Sequence, residues 1–482
     1  MRTRSLAVLL LSTLLPISLA QADDRDTMLA FLDASYERYA SLALDIWEQA
    51  ELGYMETESS RLLQDTLAQE GFSVEPGVAD IPTAFVASYG SGEPVIALLA
   101  EFDALPGISQ TDSPFRELNP DHNAGHACGH HLFGAGSAAA AVAVKRWMAT
   151  NGIEGTLRLY GTPAEEGGSG KVYMVRAGLF EDVDAVLVWH PFDFNSADPA
   201  TSLANKSAKF RFRGQSSHAA IAPERGRSSL DGVEAMNFMT NLLREHVPQE
   251  TRIHYVITSG GAAPNVVPDF AEVFYYVRHP QAEVLKGIWA RVMAAAEAAA
   301  LGTGTELEAE VIHGNHSLLP NEALAGVLHR NLTRVGGVQY DAAEREFARR
   351  ITETLNLDAD LSGQEARIKP QSFYRGMGST DVGDVSWRVP TAELRTATWV
   401  PGTTAHSWQA IAAGGTSIGY KGMMVAAKTL ALTAADLYQQ PDLVSAAHSE
   451  YLERIGPDFH YEALLGDRAP PLDYRNNTAA GK

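Results

Sequence analysis

The chain has 482 residues, one cysteine, 15 histidines and a formal net charge of −21. That length exceeds one ordinary core and implies at least two domains, and the acidity argues against nucleic acid or an anionic membrane as a partner. The lone cysteine excludes an internal disulfide and leaves a thiol that burial or a metal must protect.

The chain opens as an export signal. A basic start with Arg2 and Arg4 precedes an apolar run from Leu6 to Leu19, broken by Pro16, and then Ala20-Gln21-Ala22. These match the n-region, h-region and cleavage pattern of a secretory leader, so residues 1–22 are expected to be removed. The run is too short for a membrane span. There is no twin arginine and no cysteine near the cleavage site, so Sec export without a lipid anchor is expected, with the periplasm as destination in a Gram-negative cell.

Amphipathic periodicity predicts helices over 28–49 and 57–69. Strands follow over 84–89 and 94–100, then an alanine-rich helix over 132–148 built for close packing. A strand over 156–160, a short helix over 171–177 and an apolar strand over 185–189 come next. This alternation predicts an α/β domain with a mainly parallel sheet. The pattern changes near residue 205. Strands over 208–213, 252–258, 271–278 and 306–313 interleave with helices over 229–245 and 284–301, which is the ferredoxin-like order. The expected organisation is a catalytic domain from 23–204 and 316–440, an inserted α+β domain at 205–315, and a weakly patterned tail at 441–482.

Candidate chemistry gathers in the loops. The run HNAGHACGHH at 122–131 holds four histidines and the cysteine. Cys128 and His130 pair a soft thiolate with an imidazole, which suits zinc or a similar divalent ion. They precede a helix whose positive end favours a thiolate. Glu165 and Glu166 follow a strand, where ligands of open α/β sheets collect. Neighbours in extended backbone point opposite ways, so one can bind a metal while the other faces a substrate water. The pair alone equally suits a solvated acidic turn. His190 ends an apolar strand and His406 lies in GTTAHSW, and each alone also suits an ordinary structural histidine. Asp103 can orient a ligand histidine from behind, or merely open the turn before Pro106. The loop GMGSTDVG at 376–383 either shapes the pocket or only connects. In the insert, His218, Asn265 and Arg278 stand near strand ends. Arg278 can fork onto a carboxylate, and each of the three otherwise reads as a surface residue.

Together, GHACGHH (125–131), GTPAEEGGSGKVYMVRAGLFEDVDAVLVWHP (161–191), NVVPDFAEVFYYVRHP (265–280), GSTDVGDVSWRVPTA (378–392) and TTAHSWQAIAAGGTSIGYKGM (403–423) resemble the metal-dependent aminoacylase/carboxypeptidase superfamily. The branch is that of the p-aminobenzoyl-glutamate and plant indole-acetyl-amino-acid hydrolases. The resemblance implies two divalent ions, zinc or manganese, bridged by Cys128 and held further by His130, Glu166, His190 and His406. It implies Glu165 as general base and His218 as the group reaching the scissile carbonyl, supplied in relatives by the partner subunit. Asn265 and Arg278 match groups that hold the substrate's free carboxylate. The insert matches a dimerisation or lid domain, in a homodimer or a heterodimer with a related subunit. The implied reaction is hydrolysis of an N-acyl amino acid, with p-aminobenzoyl-glutamate the leading candidate. A dipeptidase or aminoacylase of similar mechanism, or a metal-dependent binding protein without catalysis, are the alternatives. Glu101 stands where the wider superfamily has a metal-binding histidine that this branch lacks, so it is not assigned as a ligand. His131 stands where relatives often carry Asp or Asn. In so acidic a chain, the metals, Arg278 and Lys171 are the charges expected to offset repulsion of an anionic substrate.

Overall fold

The computed structural model describes residues 24–357 and 360–475, so the expected signal segment lies outside the described residues. Ten strands form the two main sheets. The first five are β1 (Ser73–Pro76), β2 (Phe85–Ser91), β3 (Val95–Ala100), β4 (Gly155–Gly161) and β5 (Ala185–Phe192). The others are β6 (Ala204–Arg213), β7 (Arg252–Ser259), β8 (Phe270–His279), β9 (Glu306–Asn315) and β10 (Thr391–Ala397).

The central sheet has the order β1-β2-β4-β3-β5-β10. Strands β4, β3, β5 and β10 run parallel, while β2 is antiparallel to both β1 and β4. Every residue of β3 is buried, as expected of a parallel strand covered on both faces. The helix His130–Asn151 packs on this sheet through alanine and glycine. A Cβ on Gly136 would lie 2.8 Å from the Trp189 ring and 2.9 Å from Met423, so only glycine allows this approach.

The second sheet spans Ala204 to Asn315 in the order β7-β8-β6-β9, all antiparallel. The helices Ser229–Leu243 and Ala282–Thr303 cover one of its faces. Alternation along β8 buries Ala271, Val273, Tyr275 and Val277 on that side. It leaves Phe274, Tyr276 and Arg278 on the other face, which looks onto the central sheet's loops.

Two local expectations are revised. The single helix predicted over 28–49 is two, Asp24–Ala34 and Tyr36–Gln49, broken at Ser35; serine favours helix ends over interiors. The tail opens with a helix, Pro441–Ile455, whose buried side chains are only Ala447 and Tyr451. That stripe is too narrow to register as periodicity. Among the described residues, no helix is long and apolar enough to cross a membrane.

Candidate active site

The carboxyl ends of β3, β4 and β5 lie side by side, so their following loops meet. Strand β3 leads into Glu101 and Asp103, β4 into Glu165 and Glu166, and β5 carries His190 near its end. This edge is where open α/β sheets bind ligands. Gly129 bends the chain in the left-handed region (φ 78°) immediately before the helix. Cys128 and His130 thereby face the same edge. His406 arrives from 402–408 with φ 61°, its amide donating to the Ala127 carbonyl at 2.9 Å.

His130 is buried between two carboxylates: Nδ1 lies 2.8 Å from Asp103 Oδ1, and Nε2 lies 3.0 Å from Glu101 Oε2. His190 Nε2 approaches the same Glu101 oxygen at 3.4 Å. His406 Nε2 meets Glu166 Oε1 at 3.0 Å and also bonds to Cys128. Burial opposes ionisation of Cys128, but His130 and His406 outweigh it and hold the thiol below its ordinary range. Hydrogen bonds to Cys128 and Glu166 push His406 up to about 11. Burial, then the neighbouring Glu166, Glu101 and Asp381, drive Glu165 well above the usual carboxylate range.

The ligand atoms fall into compact groups: Glu101 with His130 and His190, Cys128 with Glu166 and His406, and His130 with Glu165 and Glu166, each within 4.8 Å. Glu101's two oxygens, His130 Nε2 and Glu166 Oε1 are buried without a well-formed hydrogen bond. Crowded sulfur, nitrogen and oxygen ligand atoms of this kind fit a pair of divalent ions.

The loop carrying both glutamates is strained, with Ala164 (φ 57°) and Ser169 (φ 59°) in the left-handed region. That costs about 1–2 kcal/mol per residue. Side chains grip its backbone in compensation: Glu56 accepts from Ala164 N at 2.8 Å, Asp103 Oδ2 accepts from Glu166 N at 2.9 Å, and Tyr54 donates to Gly168 O at 2.7 Å. Each such bond contributes about 0.5–1.5 kcal/mol, the same order as the strain. Burial, then the nearby Asp103, pushes Glu56 up to about 8.

Above these loops lies a cavity of about 1070 Å³. Cys128, Glu165, Glu166, His190, His406 and Arg278 all line it, with Phe274, Tyr276 and Trp399 as aromatic walls. His130 and Asp103 sit beneath, buried. Arg278 Nε is buried with no hydrogen-bond partner among the described residues. His218 and Asn265 do not join this cavity. They are exposed on the insert, where His218 Nδ1 accepts from the Ala220 and Ile221 amides at 3.2 and 3.3 Å.

Three residues gain roles that local sequence did not reveal. Glu101, unassigned from sequence, touches both His130 and His190. Lys171 is fully buried rather than open to substrate, and its Nζ sits 2.6 Å from Glu101 and 2.7 Å from Asp381. The expectation that Lys171 offsets substrate charge is therefore corrected, because its own charge is spent on two internal carboxylates. Asp381 lies in the loop 376–383, which both shapes the cavity and anchors Lys171. His131 turns away, bonding the Gly414 carbonyl at 3.0 Å, and burial holds it neutral.

The chain belongs to peptidase family M20/M25/M40, whose model matches residues 97–410. It is an enzyme of that family, a hydrolase acting on amide bonds. It is 40% identical over 448 residues to the B-type subunit of p-aminobenzoyl-glutamate hydrolase from Escherichia coli, covering 87% of this chain and 93% of that one. The Xaa-Arg dipeptidase of Mus musculus is 29% identical over 437 residues, covering 87% and 90%. A crystal structure of an aminobenzoyl-glutamate utilization protein from Klebsiella pneumoniae superposes with a TM-score of 0.58 at 19% identity, covering 86% of this chain and 99% of that one. A dinuclear metal binding peptidase of the M20 family from Bacillus subtilis gives 0.57 at 18%, covering 84% and 99%. These two likenesses describe the fold.

Proposed function

We propose that the chain is a metal-dependent amidohydrolase that cleaves N-acyl amino acids, with p-aminobenzoyl-glutamate, split to p-aminobenzoate and glutamate, as the substrate to test first. The carrying observation is the convergence of Cys128, His130, Glu166, His190 and His406 around Glu165 at one strand-end cavity. Two divalent ions, zinc or manganese, held by those five ligands would supply Lewis acidity toward the amide carbonyl and a water acidified toward pKa ~7.

The protein's own groups do the rest. Glu165, whose proton affinity is raised by burial, takes the proton of the attacking water and passes it to the departing amine nitrogen. Arg278 presents an unsatisfied guanidinium edge to the cavity, suited to the substrate's free carboxylate. Phe274, Tyr276 and Trp399 give an aromatic acyl group a face to pack on. Asp103 fixes the His130 ring through Nδ1.

His218 and Asn265 stand exposed and outside the cavity of their own chain, which supports a dimer in which a second copy or a related subunit supplies them. The names of two relatives, the B-type and A-type subunits of the Escherichia coli hydrolase, support such an assembly. A binding protein would need no base beside a ligand, so the adjacent Glu165 and Glu166 favour catalysis.

The test is metal analysis with a panel of N-acyl amino acids and Xaa-Arg dipeptides, assayed by released amine. Glu165→Gln is expected to keep its metal and lose nearly all turnover, about 10²–10⁴-fold or more. Near-normal rates in that variant would remove Glu165 from the role. Faster release of arginine from dipeptides than of amino acid from aryl amides would shift the reading to a dipeptidase.

A further inference from the structure

The glutamate loop has a fourth grip, and it comes from the far end of the chain. The Tyr474 hydroxyl donates to the Glu166 carbonyl oxygen at 3.0 Å, and the Arg475 guanidinium donates to the same oxygen. Residues 468–475 reach this point along a pinned path. Arg468 donates to the Val311 and Ile312 carbonyls of β9, and Arg176 donates to the Asp467 and Arg468 carbonyls at 3.3 and 2.8 Å. Pro470 and Pro471 stiffen the stretch between Arg468 and Tyr474. The Tyr474 ring then meets Tyr54 edge-on, with centroids 5.6 Å apart at 74°. The segment walls the substrate cavity from Arg468 to Arg475.

We infer that Tyr474 and Arg475 are positioning residues for Glu165 and Glu166, so that the C-terminal segment is a working part of the active site. This rests on the hydrolase reading above. The physical reason lies in the peptide between Glu166 and Gly167. Gly167 takes φ 87°, a value glycine leaves as readily as it enters. Two donors on one carbonyl hold that peptide plane, and the plane sets where both neighbouring carboxylates point. Asp103 grips the amide side of Glu166 and the tail grips the carbonyl side. Because Arg468 ties the same segment to β9 of the insert, the grip also couples the insert's position to the glutamate loop.

The test uses full-length, zinc-loaded protein. Tyr474→Phe combined with Arg475→Ala keeps the aromatic packing and removes both donors. The expected result is a fall in kcat of about 10–10²-fold, typical when a partner that orients a metal ligand is lost, with KM little changed. Hydrogen–deuterium exchange of the peptide covering 162–170 should accelerate, while the melting temperature and exchange in β3 stay put. Arg475→Lys in the otherwise native chain, which keeps one donor, should retain most of kcat. Unchanged exchange at 162–170 together with unchanged kcat would overturn the inference, and so would a global loss of protection. If native protein hydrolyses nothing in the substrate panel, the hydrolase reading fails by itself, and the exchange measurement still decides whether the tail positions the loop.

Discussion

At the residue scale, the buried Lys171 governs the charge beneath the site. Burial opposes its ammonium, but Asp381 and Glu101 raise its proton affinity above the ordinary lysine value. Burial likewise opposes Glu101, yet Lys171 and the two imidazoles keep its carboxyl well below the usual range. Asp381 gains less: burial lifts it to about 6, with Lys171 opposing and Glu101 reinforcing the rise. Removing the ammonium would leave Asp381 buried without its counter-charge and Glu101 with only the two imidazoles. Losing one member of such a cluster costs about 3–5 kcal/mol. Lys171→Met is therefore expected to lower the unfolding free energy by an amount of that order, read as a lower urea midpoint at unaltered slope. Lys171→Met with Asp381→Asn should cost less than the two single changes summed, because the second removes a charge the first stranded. A midpoint unmoved by Lys171→Met would mean that water or a proton already balances these carboxylates.

At the element scale, the turn before the helix His130–Asn151 is the joint that aims two ligands. Gly129 holds φ 78°, and a Cβ there would lie 2.6 Å from Pro191 Cβ and 2.8 Å from its Cγ. A proline ring on a buried strand cannot swing aside. Gly129→Ala should cost about 1–3 kcal/mol through backbone conformation and overpacking. It should also weaken zinc about 10–10²-fold in chelator competition, by tilting Cys128 and His130 away from β5; retained affinity would show that the turn can relax. This turn also illustrates what sequence made legible. Apolar runs announced β3 and β5, and the strand-end rule drew attention to the loops bearing Asp103, Glu165 and His190. Which loops become neighbours depends on β3 lying between β4 and β5, and no local pattern encodes that order. Glu101 goes unassigned from sequence because the branch lacks the histidine that the wider superfamily has there, and its contacts with His130 and His190 emerge only from that strand order. The Lys171–Asp381 pair, separated by 210 positions, is likewise hidden from local pattern. The tail's grip on Glu166 spans 308 positions through Tyr474 and uses a single backbone oxygen, which leaves no trace in side-chain patterning.

At the scale of the whole molecule, a chain of net charge −21 would have to admit an anion. Within the cavity, Arg211 is engaged by Glu272, Glu308 and Glu310, and Arg395 by Glu393. Arg278 stands without a carboxylate partner among the described residues, its Nε unsatisfied. Local attraction and global repulsion thus act on the same substrate over different ranges. Repulsion by the overall charge is long-ranged and screened by salt, since the Debye length shrinks from about 30 Å at 0.01 M to about 10 Å at 0.1 M. The contact with Arg278, made in a partly dry cavity, is screened much less. For an anionic N-acyl amino acid, kcat/KM is therefore expected to rise with added salt over that interval, against the usual direction for an attractive site. A neutral amide of the same acyl group should show no such rise. Arg278→Ala should lower kcat/KM for the anionic substrate at every ionic strength while leaving the upward slope in place, because the slope belongs to the surface and the offset to the cavity. Kinetics that instead fall with salt would show that the cavity's own cations dominate capture, and that the surface charge does not reach the approaching substrate.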